Sequence, residues 1–189
     1  LDFYYQKKNE IKFSNNCVII PNIAPTGNFR KKIVLNLSSE LKKKWNKKKL
    51  NNTINKRIYI SRKNASKRKL KNEVDIIPIL KKFDFMILDF DTLSFEEQLY
   101  HTLNCDTLVS MHGSGLTHML WMNEKSKILE IRARNNFNDN CYFSLASDLG
   151  HDYFYVLANK IEKETTNHLS DLEIDTKNFS CELNKMLIT

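Results

Sequence analysis

The stretch CDTLVSMHGSGLTHMLWMNEKSKILEI, residues 105–131, decides how the rest of this chain is read. Residues Thr107–Met111 form a short, almost continuously apolar run, the pattern of a strand buried on both faces. A His-Gly-Ser-Gly turn follows. Leu116–Met122 then reads as a short apolar helix, and Lys127–Ile131 as a second strand. The chain has 4 glycines in 189 residues, yet Gly113 and Gly115 flank a single serine. Glycines this close together allow something to approach the backbone. A turn between a strand end and a helix start aims backbone N–H groups, and the helix N-terminus, at the carboxyl edge of a sheet. That arrangement binds phosphate. His112, at the strand end, is placed to donate to a phosphate or sugar oxygen. The alternative is a tight turn carrying a solvated histidine.

The same alternation recurs on either side. RIYIS (57–61) is a strand. NEVDIIPILKKF (72–83) is a helix in which Asn72 is expected to cap, with Asp75 in a capping-box position, and Pro78 is expected to kink the helix or move its start. FMILDF (85–90) is a strand. SFEEQLYHTLNC (94–105) is a helix with Ser94 and Glu97 as a capping box and Phe95, Leu99 and Leu103 as its apolar stripe. CYFSLASDLG (141–150) is a helix closed by Gly150, and YFYVL (153–157) a strand. LEI (172–174) is a short strand, and Asp175 opens a helix that buries Phe179, Leu183 and Met186. This pattern predicts an α/β fold: a Rossmann-like parallel sheet with helices on both faces. Such sheets bind ligands at the carboxyl ends of the strands, near the switch in strand order.

The first 50 residues differ. IVLNLSSELKKKW (33–45) suggests a helix, but the region reads as a connector or edge element. KKKLNNTINK (47–56) is expected to be a flexible boundary. The expected division is 1–52, a connector and the end of an N-terminal domain, and 53–189, the Rossmann-like domain. The opening LDFYYQKKNE is neither a signal peptide nor a methionine start, so a fragment is expected.

Composition narrows the classes. Hydrophobic residues at 41% and aromatics at 11% support a core and exclude a disordered chain. No apolar run approaches the ~20 residues that span a bilayer. The net charge of +8 suits an anionic partner or simply reflects a lysine-rich surface. No RNP motif, finger spacing or basic zipper is present, so nucleic acid is not the expected partner. Cys17, Cys105, Cys141 and Cys181 are scattered, which indicates neither a zinc site nor a disulfide framework, and Cys105 reads as a buried thiol. His112 and His118 do not have metal-ligand spacing, and no metal is expected. There is no G-x-G-x-x-G, which argues against a nicotinamide dehydrogenase. HGSG is like an esterase oxyanion loop, but no G-x-S-x-G elbow accompanies it. Asp89-Phe90-Asp91 is like a D-x-D metal site and is read instead as turn chemistry.

Two further strand ends carry candidate residues. Ser61 and Arg62 close RIYIS, and Arg68 lies in the loop that follows. Two guanidiniums near a phosphate-binding turn suit a diphosphate, since arginine binds its oxygens bidentately. Lys63, Lys67, Lys69 and Lys71 read as a basic surface loop. Glu130, near the end of KILEI, can accept both hydroxyls of a ribose or pair with Arg132 or Arg134.

Taken together, RIYISRKNASKRKLKNEVDIIPILKKFDF, SFEEQLYHTLNCDTLVSMHGSGLTHMLWM and KILEI resemble glycosyltransferase family 61. That family carries an S-R near a strand end, an N-E opening the next helix, an E-Q helix, then H-G-[AS]-G-L-T and an apolar strand ending in E. Ser61, Arg62, Arg68, Asn72, Glu73, Glu97, Gln98, His112, Gly113, Gly115, Leu116, Thr117 and Glu130 fall on this pattern. Ser114 stands where alanine is common, and His118 where asparagine is common. The resemblance implies the C-terminal, donor-binding domain of a GT-B glycosyltransferase. Such an enzyme transfers a sugar, with inversion, from a UDP-sugar to a glycan or protein hydroxyl, and bacterial members serve capsule or surface polysaccharide. It implies no cofactor beyond the UDP-sugar donor substrate, and a catalytic base from the N-terminal domain. The donor-binding set it implies is Ser61, Arg62, Arg68, Asn72, His112, Gly113, Ser114, Gly115, Leu116, Thr117 and Glu130. His112 also steadies the leaving phosphate, with Glu97 and Gln98 orienting neighbours.

The alternative function is a non-catalytic nucleotide- or nucleic-acid-binding module of the same fold. Sequons stand at Asn36, Asn51, Asn64 and Asn178. A glycan on Asn64 would obstruct the phosphate loop, so the expected location is cytoplasmic, with peripheral membrane association, and an ER or Golgi lumen is the alternative for a eukaryotic source.

Overall fold

A computed structural model describes residues 27–45, 56–136, 139–161 and 170–189. The expected flexible boundary and Cys17 lie outside them, Lys56 excepted. The elements in chain order are α1 (Lys31–Trp45), β1 (Arg57–Ser61), α2 (Glu73–Lys82), β2 (Met86–Asp89), α3 (Phe95–Asn104) and β3 (Thr107–Met111). A 3-10 helix (Ser114–Trp121), β4 (Lys127–Ala133), α4 (Cys141–Leu149), β5 (Asp152–Lys160), β6 (Leu172–Glu173) and α5 (Thr176–Ile188) follow.

The sheet order is β2-β1-β3-β4-β5-β6. β1 to β5 are parallel, and β6 runs antiparallel at the edge. The chain leaves β1 toward β2 and leaves β3 toward β4, in opposite directions, so the strand order switches between β1 and β3. The crevice at their carboxyl ends is the ligand position such sheets provide.

Each strand alternates its apolar residues between two cores. Tyr59, Val109 and Leu129 face α2 and α5, where Ile76, Leu80, Phe179, Leu183 and Met186 are buried. Ile58, Ile60, Leu108 and Ile128 face the other layer, with Leu116, Met119, Leu145 and Leu149. α1 belongs to that second layer. Its Val34 is buried, the Ser38 hydroxyl donates to the Leu120 carbonyl at 2.6 Å, and Lys42 donates to the Met122 carbonyl. The unit that contains the sheet thus also holds a helix lying before residue 52.

The caps expected for three helices form. Ser94 and Glu97 make both halves of a capping box, Asp175 accepts from the N–H groups of Lys177 and Asn178, and Gly150 closes α4 at φ 74. Three other expectations need correction. Asn72 makes no side-chain cap. Its amide donates to the Ile174 carbonyl at 2.9 Å and accepts from the Ile174 N–H at 3.1 Å, pinning the C-terminal segment to the start of α2. Phe95 is 53% exposed, and it packs edge-on against Trp121, not into the core. The segment after Gly113 is a 3-10 helix. The Thr117 hydroxyl takes the Ser114 carbonyl at 2.5 Å, and i+3 bonds run from Leu116 to Gly113 and from Met122 to Met119. α2 continues through Pro78, which is exposed.

β4 and β5 are longer than their apolar cores suggest. Arg132 extends β4 while nearly buried, because its guanidinium donates to Asn140 Oδ1 and to the carbonyls of Asn136 and Asp139.

Candidate functional site

The ends of β1 and β3 meet over the crevice. From β1, Arg62 turns back over its own loop. Its Nε donates to the Arg68 carbonyl at 3.0 Å and its Nη2 to the Lys67 carbonyl at 3.1 Å. These bonds hold Arg68 in the left-handed region at φ 56, a conformation costly for a side-chain-bearing residue. Arg68 Nη1 reaches the His112 carbonyl at 3.5 Å. A Cβ built on Gly113 would lie 3.7 Å from Arg62 Nη1 and 3.7 Å from Arg68 Nη2. Two cationic groups therefore converge on the space beside this glycine. Burial, and next the charge of Arg68, lower the Arg62 guanidinium from its usual range, with Asp91 opposing. An anion between the two arginines would relieve that repulsion.

Gly115 has a different reason to be glycine. Its Cβ would stand 3.2 Å from Ile60 Cδ1 and 3.5 Å from Ile60 Cγ2. The 3-10 helix therefore lies directly on β1, and its first turn faces the crevice. Ser61, Arg62, Ser114, Gly115, Thr117 and His118 all line a cavity of about 230 Å3. Leu116 is fully buried beneath it and serves the core. His118 donates from Nδ1 to the Gly115 carbonyl, 3.2 Å away, and burial keeps its ring below the usual imidazole range.

Two buried carboxylates set these strand ends. Glu73 accepts from the Tyr59 hydroxyl at 2.6 Å, the Ser61 hydroxyl at 2.9 Å and the Arg62 N–H at 3.3 Å. Ser61 is thus spent on Glu73 and on the N–H of Lys63. Glu130 is 1% exposed. Its oxygens accept from His112 Nδ1 and from the Tyr153 hydroxyl. It makes no close ion pair with Arg132 or Arg134 among the described residues, although its charge helps to raise the Arg132 guanidinium, and both its oxygens are engaged inside the protein, away from a ribose. His112 Nε2 meets Asp139 Oδ2 at 2.7 Å, and the ring lies edge-on to Tyr142 at 5.0 Å. Cys141 Sγ lies 3.3 Å from Asp139 Oδ1, and burial, then that contact, push its thiol up to about 12.

Of the expected residues, Arg62, Arg68, His112, Gly113, Ser114, Gly115 and Thr117 gather at the crevice. Asn72 is committed to Ile174, and Lys69 donates through its N–H to Asp171 at 2.7 Å, which ties the same loop to the C-terminal segment. Gln98 donates to the carbonyls of Phe90 and Leu93, supporting the cavity wall, and Glu97 is used in its cap. The buried thiol expected at Cys105 is found, 1% exposed. Asp89 caps the short turn Phe90–Thr92, as turn chemistry requires, and accepts from Asn64 at 2.6 Å. Sequence reasoning missed Tyr153, which holds Glu130 from β5, Asp139, which meets His112 on the approach to α4, and Cys141, which lies beside Asp139. No spacing signals that meeting.

A second cavity, of about 600 Å3, opens beyond β4 and β5, lined by Arg134, Asn136, Phe143, Tyr153 and Tyr155 among others. Phe143 and Tyr155, which line it, are each about half exposed.

The family model described as Glycosyltransferase 61 matches residues 9–129, ending just before Glu130. Among curated proteins, the EGF domain-specific O-linked N-acetylglucosamine transferase of Bos taurus is 30% identical over 118 residues, 59% of this chain and 22% of that protein. The Drosophila melanogaster protein of the same name is 36% identical over 91 residues, 47% of this chain and 17% of its own. That of Xenopus laevis is 29% identical over 122 residues, 61% and 23% respectively. The chain spans about a fifth of the length of the curated relatives it matches.

Proposed function

This chain belongs to glycosyltransferase family 61, and we propose that it is the donor-binding half of a GT-B enzyme that transfers a sugar from a UDP-sugar to a hydroxyl. The observation that carries this reading is the convergence of Arg62 and Arg68 on Gly113, at the switch point of a parallel sheet. A diphosphate there gains bidentate bonds from two guanidiniums and N–H groups from the turn.

The flanking cavities suit the remaining parts of the donor. The smaller one offers Arg62, Asp91, Gln98 and Thr117 to sugar hydroxyls. The larger offers the exposed rings of Phe143 and Tyr155 to a base. As the glycosidic bond breaks, negative charge grows on the leaving phosphate. His112, aimed by Glu130, which the Tyr153 hydroxyl holds in turn, donates from Nε2 to that oxygen, which takes the place of Asp139. A donor fixed in advance costs little reorganisation when the charge appears. Inversion needs a base to take the acceptor proton, and the acceptor-binding half supplies it. The names of the relatives favour N-acetylglucosamine as the sugar and a protein hydroxyl as the acceptor.

Calorimetry of this chain with UDP, inorganic pyrophosphate and single-stranded RNA tests the reading. Near-stoichiometric UDP binding with weak RNA binding supports it. RNA binding that falls steeply with salt, with no heat from UDP, favours the nucleic-acid module instead.

A further inference from the structure

Three metal-ligating side chains meet beside the cradle. His112, Asp139 and Cys141, all half-buried, bring one ligand atom each to within 4.8 Å of one another. We propose that His112 Nε2, the Asp139 carboxylate and Cys141 Sγ bind a thiophilic divalent cation of the zinc class, leaving one coordination position open.

The donor set fits the ion. Imidazole, carboxylate and thiolate are the ligands zinc takes, and three protein ligands with an open fourth position is its usual form outside structural sites. Ligand atoms around a tetrahedral zinc stand roughly 3.5 Å apart. Cys141 Sγ and Asp139 Oδ1 are already 3.3 Å apart. His112 Nε2 and Asp139 Oδ2, at 2.7 Å, need to open by under about 1 Å to match that spacing. Binding replaces the proton they share, and releases the thiol proton of Cys141.

The surroundings are built in the same sense. An imidazole that binds a metal holds its other N–H on a carboxylate, which fixes the tautomer and the ring angle. Glu130 does this for Nδ1, and the Tyr153 hydroxyl in turn holds Glu130. Cysteine spacing conceals the site, because His112 follows β3 while Asp139 and Cys141 flank the start of α4. The diphosphate cradle is separate, but it borders the site through His112. If the donor reading holds, the ion and the leaving phosphate compete for one nitrogen, and excess zinc slows transfer. That consequence rests on the proposed function, whereas the metal site does not.

Cobalt(II), added to the chelator-treated chain and followed by absorption, tests the site directly. One equivalent should bind with a thiolate-to-cobalt charge-transfer band. The band should vanish in Cys141→Ser and persist in Cys181→Ser, whose cysteine is exposed elsewhere. Asp139→Asn should weaken cobalt binding without removing the band. Glu130→Gln, which alters only the group behind His112, should weaken it roughly 10- to 100-fold. Absence of the band in the parent chain, or its survival in Cys141→Ser, overturns the proposal and leaves a hydrogen-bonded cluster without metal affinity. UDP titration in chelator is read separately. Its failure would sink the donor reading alone.

Discussion

Replacing Arg62 by alanine separates a built anion site from a basic surface. Two of its nitrogens, Nε and Nη2, are bonded to the carbonyls of Arg68 and Lys67. Nη1 makes no such bond among the described residues and stands 3.7 Å from the position of a Gly113 Cβ. The ligand thus meets at least one charged donor from Arg62. A hydrogen bond to a charged group contributes about 1.5–3 kcal/mol, so Arg62→Ala should raise the Kd for UDP roughly 10- to 150-fold. The upper part of that range applies if the loop loosens and Arg68 leaves its left-handed conformation as well. Lys63→Ala is the control, since Lys63 lies in the same loop and, among the described residues, contributes only its N–H, to Ser61. Calorimetry at two salt concentrations gives both Kd values. Lys63→Ala should change binding less than about threefold, the scale of an exposed charge. Equal losses from Arg62→Ala and Lys63→Ala would refute the reasoning, because only a diffuse positive field treats the two alike.

Gly115→Ala places a methyl group against Ile60 and should destabilise the fold by about 1–3 kcal/mol, the range for overpacking, with weaker UDP binding, measured by urea unfolding and calorimetry. Asn72→Ala removes both bonds to Ile174 and should lower stability by about 1–3 kcal/mol while the Kd for UDP at saturable concentrations stays the same. A large change in Kd would return Asn72 to the donor site. Stability should also depend on pH through His101, His118 and His151, whose imidazoles burial holds below their ordinary value of 6.5. Above that value the rings are neutral in both states and carry no penalty. Below it the unfolded chain binds more protons, so the melting temperature should be level from pH 7 to 8 and fall as pH drops beneath 6.5. His151→Gln should flatten that fall.

The fold was legible because its signals are local. Thr107–Met111, Arg57–Ser61 and the Ser94–Glu97 box each declare themselves within a few residues, and the glycine pair marks where the strand order switches. The site was half legible. Arg62 and His112 end strands, and a strand end in a parallel sheet already points to the crevice. Partner choice was not legible. Asn72 looks like a helix cap, but a carbonyl and an N–H at Ile174, distant in sequence, compete for the same amide and win. Phe95 has helical spacing, yet it stays half exposed and rests edge-on against Trp121 and His118. Glu130 looks like a ribose acceptor only while Tyr153 and His112 are unseen, and both arrive through strand pairing.

The two buried glutamates explain how the proposed diphosphate site can be rich in carboxylates nearby. An acid facing the phosphates would oppose them, whereas an acid behind a donor strengthens it. Glu73 lies under the end of β1 and holds Tyr59, Ser61 and the Arg62 N–H. Glu130 lies under the end of β3 and holds His112. Each is almost wholly buried, so each acts on the ligand through the group in front of it. Asp139 is the exception, since it stands on the open side of His112. It occupies the nitrogen that the proposed transfer requires, and it must yield to phosphate or share that nitrogen with a cation. Asp139→Asn therefore distinguishes the two uses of His112. It should ease the approach of a phosphate and weaken the hold on a metal, whereas a residue of purely structural importance would move both in the same direction.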